Sequence, residues 1–129
     1  MSIELKMLAW SSVLGLAYVL IAATLATYQR GLKWNAGNRD GDVKPLTGAA
    51  ARADRASRNF LETFVFFAVA VLAVELAHRN SDQTALGVQI YFWARVAYWP
   101  VYAVGIPYLR TAVWAVGFLG LLQVLEALL

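Results

Sequence analysis

From Met7 to Tyr28 the chain runs without a charged side chain. About 20 apolar residues span the hydrocarbon of a bilayer, and a spanning segment must satisfy its own backbone groups, so this run reads as a membrane helix. The run exceeds the apolar core of a leader peptide. Glu4 and Lys6 also make a poor basic lead-in, so a retained span is expected. The whole chain supports the same class, being 60% hydrophobic and 15% charged over 129 residues. Further apolar segments lie near Asn59 to Ala77, Ala85 to Tyr108 and Thr111 to Leu129. The expected fold is therefore an all-α, integral membrane four-helix bundle with spans at approximately 7–28, 59–77, 85–108 and 111–129. The short links after the second and third spans require up-down neighbours.

Basic residues fix an expected orientation. Arg30, Lys33, Arg39, Lys44, Arg52, Arg55 and Arg58 all lie between the first two spans, seven of the 11 lysines and arginines. Such a bias puts the long first connection in the cytoplasm and both termini outside it. The formal net charge of +3 thus belongs to topology, and no nucleic-acid motif accompanies it. Cysteine is absent, which excludes disulfides, Fe–S clusters and a cysteine nucleophile. The single histidine, His78, and the scattered acids leave no metal site. Asp40-Gly41-Asp42 lacks the spacing and closing glutamate of a calcium loop and reads as a polar turn. Helix is expected from Thr47 onward, projecting the second helix beyond the bilayer.

Polar side chains at the mouth of a membrane helix carry the chemical signal, because lipid cannot solvate them. Arg55, Asn59 and Glu62 recur at i, i+4 and i+7, one helical face. Arg58 is one turn before Glu62, and Arg52 one turn before Arg55. On the third segment Tyr91, Arg95, Tyr98 and Tyr102 form a second stripe. An arginine in mid-span must face the interior, and Glu62 is its expected partner. Bland readings accompany each feature. Arg52 is expected to be a solvated, lipid-facing charge; the Arg95 to Glu62 pair can be a structural clamp; Trp93, Trp99 and Trp114 suit an interfacial belt. Gly117 and Gly120 permit close helix approach.

Arg55-x-x-Arg58-Asn59-x-x-Glu62, followed by Arg95-x-x-Tyr98-x-x-x-Tyr102 and Arg110, resembles the MAPEG family of membrane-associated proteins in eicosanoid and glutathione metabolism, and within it a bacterial-type member. The resemblance covers the whole chain. It implies a homotrimer in a membrane, here a bacterial inner membrane, with glutathione held between subunits near the cytoplasmic face. Carried over by residue, Arg55, Asn59 and Glu62 would contact the tripeptide, with Arg58 a further basic ligand. Arg95, Tyr98 and Tyr102 would supply donors, Arg30 would come from a neighbouring protomer, and Arg110 would activate the thiol. Thr63 and Ser57 depart from residues found in relatives, and Arg110 lies one position further from Tyr102 than in the mammalian synthases. The function implied is a glutathione-dependent transferase or peroxidase acting on a hydrophobic small-molecule electrophile. The alternative is a non-catalytic scaffold or accessory protein whose polar box binds a lipid headgroup or another anion.

Overall fold

The computed structural model describes residues 1–129, and the chain is all-helical, without strands. Helix α1 spans Ile3–Arg30, α2 Leu32–Ala36, α3 Gly48–Leu76, α4 Asp82–Val104 and α5 Pro107–Glu126. The expectation of four helices needs one addition, the short α2 within the first connection. Five residues carry too little periodicity to announce a helix.

Local chemistry sets the helix ends. The Ser2 hydroxyl accepts the Leu5 amide N–H at 3.1 Å and caps α1. Ser81 and Thr84 form a reciprocal capping box that opens α4. Gly105 ends α4 at φ 86°, and Pro107 occupies the first turn of α5, where a missing N–H costs nothing. Tyr108 therefore opens α5 instead of closing the preceding helix. At the end of α3, His78 takes φ 55°. Its N–H donates to the Glu75 carbonyl and that of Arg79 to the Val74 carbonyl, a Schellman closure with histidine at the position usually held by glycine.

Helices α1, α3 and α5 are long and apolar enough to cross a membrane. Outward-facing Leu16, Val65, Phe66, Val69 and Leu119 are exposed on the protein surface, as a lipid or subunit contact requires. Helix α4, the expected third span, has 23 residues but is not among the helices apolar enough to cross a membrane, because it carries and buries Thr84, Tyr91, Arg95, Tyr98 and Tyr102 against its neighbours.

Two apolar clusters hold the helices. One joins Phe67, Val71, Val74, Val88, Tyr91, Leu121 and Val124. The other joins Tyr18, Ala56, Phe60, Tyr98 and Tyr102 and lies beside the arginines of α3. Between α4 and α5 the backbones nearly touch. A Cβ at Gly87 would lie 2.8 Å from the Gly120 carbonyl oxygen, and one at Gly120 only 2.6 Å from that of Gly87. Gly120 thus serves the close approach expected from the sequence, with Gly87 as its partner.

Side-chain contacts show which ends meet. Ser2 bonds Glu75, Thr84 donates to Glu4 at 2.6 Å, and Gln83 donates to Glu126 at 2.9 Å. These gather the start of α1, the end of α3, the start of α4 and the end of α5. At the other end Gln29 and Thr47 exchange two bonds, and Arg55 reaches Tyr102.

Candidate functional site

The second cluster is also where the costly charges converge. Tyr102 is the hub. Arg55 Nε donates to its hydroxyl oxygen at 2.8 Å, and the Arg110 guanidinium sits 5.1 Å from its ring centre. Because that oxygen accepts from Arg55, the hydroxyl proton is free for another partner. Tyr102 also lies 5.6 Å, centre to centre, from Tyr98.

Arg95 is only 2% exposed. Its Nη1 donates to Asn59 Oδ1 at 2.8 Å, while Nε and Nη2 have no hydrogen-bond partner. Rings of Tyr98, Phe60 and Tyr18 surround it at 4.5, 5.1 and 5.7 Å. This corrects the expected Arg95 to Glu62 pair. Three residues along a helix are about 60° of rotation apart, so when Asn59 faces α4, Glu62 points outward. It is exposed on the lateral surface.

The remaining expected ligands divide. Asn59, Tyr98 and Arg110 line one cavity of about 230 Å3, together with Thr111 and Trp114. Arg55, Tyr102 and Arg110 line a second of about 210 Å3, with Arg52 and the Gly105 turn. Arg110 therefore lies between the two. Arg58 is exposed and pairs with Asp54 at 3.3 Å, the one ion pair in the chain. Arg30 belongs to the first connection, where its Nε donates to the Lys44 carbonyl at 2.9 Å and its guanidinium stacks on Trp34.

Arg52 is also corrected. It is half-buried, with Nε buried and unpartnered, and is no solvated lipid-facing charge. Its position one turn before Arg55 was the available signal. Tyr18 was missed altogether. Its hydroxyl donates to the Arg95 carbonyl at 2.6 Å, tying α1 to the buried arginine, yet nothing distinguishes it within an apolar run.

No acidic side chain lines either cavity. Arg52, Arg55 and Arg110 thus have no carboxylate partner within the chain, a setting that suits anions.

Neither a curated protein nor a solved structure gives a significant match to the sequence. The family comparison is decisive over nearly the full length: residues 7–128 match the MAPEG family, and we conclude that this chain is a member of it.

Proposed function

We propose that the protein is a glutathione-dependent transferase or peroxidase acting on a hydrophobic electrophile dissolved in the membrane. The reading places four spans across a bacterial inner membrane, both termini outside the cytoplasm, and a homotrimer with glutathione between protomers. The observation that carries it is Arg110, a guanidinium shared by two cavities and without a carboxylate partner. Glutathione carries two carboxylates and one ammonium. Arginine forks such as Arg55 suit the carboxylates, while Glu62, free on the lateral surface, suits the ammonium from a face that a second protomer would enclose. Arg58 and Arg30, neither of which lines the two cavities around Arg110, would act across that same boundary.

Arg110 supplies the chemistry. A free thiol has a pKa of about 8.5, and a nearby guanidinium in a dry site favours the thiolate. A depression of two units corresponds to ~2.7 kcal/mol, within reach of one well-placed cation. The thiolate sulfur then bonds the electrophilic atom of the substrate, and the displaced group leaves with the electron pair. Asn59, Tyr98 and Tyr102 orient the tripeptide.

Calorimetry on the full chain in nanodiscs tests the reading. The parent should bind glutathione, and Glu62→Gln should bind it about tenfold more weakly, as expected for one charge-assisted contact. Absence of heat at millimolar glutathione would instead favour the non-catalytic scaffold.

A further inference from the structure

A recess beside the cavities contains two donors that the function above does not use. Arg52 Nε on α3 and Trp99 Nε1 on α4 are both buried and both lack a hydrogen-bond partner. The Arg52 and Trp99 side chains line one space of about 20 Å3 together with Tyr102 and the methyl groups of Ala49, Ala53, Ala56 and Ala103. Buried N–H groups are nearly always paired, and a space of this size takes one water-sized acceptor. Arg52 also forms a wall of the cavity of about 210 Å3 that holds Arg55 and Arg110, so recess and cavity adjoin.

We propose that this recess and the cavity beside it form a phosphate site. One phosphate oxygen enters between Arg52 Nε and Trp99 Nε1, and the others face Arg55 and Arg110. A water alone would satisfy the two recess donors but leave three guanidinium charges without a counter-charge. A carboxylate brings one charge and two coplanar oxygens. A phosphate group is tetrahedral, presents an oxygen to each arginine and carries up to two charges. The phosphate comes from a soluble compound or from an anionic phospholipid, since the site opens near the junction between the charged start of α3 and its apolar run. It shares Arg55 and Arg110 with the proposed glutathione site, and competition between the ligands rests on that reading; Arg52 and Trp99 serve phosphate alone.

The test uses the full chain in nanodiscs of two compositions. In phosphatidylcholine alone, inorganic phosphate is titrated by calorimetry. In nanodiscs containing phosphatidic acid, native mass spectrometry measures enrichment of that lipid over phosphatidylcholine. Saturable heat identifies a soluble source, enrichment identifies the headgroup, and either one supports the site. Arg52→Gln and Trp99→Phe should each weaken the observed binding roughly tenfold. Trp99→Phe keeps the ring and removes only the donor, so it carries the test should Arg52→Gln fail to fold. Its glutathione affinity should equal the parent's, which separates this site from the tripeptide. Absence of both signals in the parent overturns the proposal, as does binding that survives either folded variant unchanged.

Discussion

The two ends of the molecule handle buried polarity in opposite ways. Where α1 begins, Glu4 is buried and meets a neutral hydroxyl from Thr84, and Glu75 meets Ser2 and Asn80. Carboxylates there are answered from within the chain by short, uncharged donors. At the arginine end the relation is reversed: Arg52, Arg95 and Trp99 keep buried N–H groups with no acceptor, and Arg110 has no acid beside it. Leaving a buried donor unmet costs about 1–3 kcal/mol. One end is therefore closed by its own sequence, whereas the other carries a cost that the proposed anion would remove.

The sharpest way to break the contrast is to disrupt the seam that holds the closed end. A side chain at Gly120 meets backbone, the Gly87 oxygen and the Tyr91 nitrogen, at 2.6 and 2.8 Å. Gly120→Val should cost more than about 3 kcal/mol and abolish recovery of folded protein from mild detergent. Recovery of a normally melting Gly120→Val protein would show that α4 and α5 do not pack this closely.

Next comes Arg110→Leu, aimed at the open end. Its fold should survive, since no carboxylate in the chain pairs with this cation and only the Tyr102 ring lies against it, and glutathione should still bind. Thiolate absorbance at neutral pH should fall some twentyfold or more, matching a loss of up to ~2.7 kcal/mol, and should recover at alkaline pH, where solvent takes the proton. An unchanged thiol titration would move the activating role to Tyr98, Tyr102 or Arg95.

Thr84→Val removes the one hydroxyl that answers Glu4 and half of the α4 capping box. A loss of about 1–3 kcal/mol is expected in reversible denaturant unfolding, with glutathione affinity unchanged. Weaker glutathione binding in this variant would mean that the ends are coupled. The smallest effect belongs to His78→Gly. Relief of a left-handed histidine should stabilise the chain by about 1 kcal/mol, visible as a higher melting temperature, and should leave the arginine end untouched.

Much of this was legible before the fold was known. Runs without charge announce the helices, and the spacing of Arg55, Asn59 and Glu62 puts them at one mouth. What periodicity does not give is rotation about the helix axis. Glu62 and Asn59 share a stripe, yet only one of them can meet Arg95, and the packing of Phe60 against Tyr18 at 4.9 Å turns the helix so that Asn59 does. The burial of Arg52 is likewise a product of two helices. Its alanine neighbours form a recess only when Trp99 of α4 closes it, and no single segment carries that information. The short α2 hides for a third reason, being a single turn set between Gly31, at positive φ, and the loop, with none of its residues buried.

The connection between α4 and α5 has a mechanical meaning. Gly105 and Ile106 are all that joins the two helices, and a link this short gives only a few ångströms of slack per residue. Tyr102 and Arg110, one on each side of it, are therefore held close to one another. Helix α3 is tethered differently, through the irregular segment 37–47, and it carries Arg52, Arg55 and Asn59. On the proposed function, an entrance that widens for a bulky substrate would do so by displacement of the leading turns of α3, on the long connection, more readily than by separation of α4 from α5.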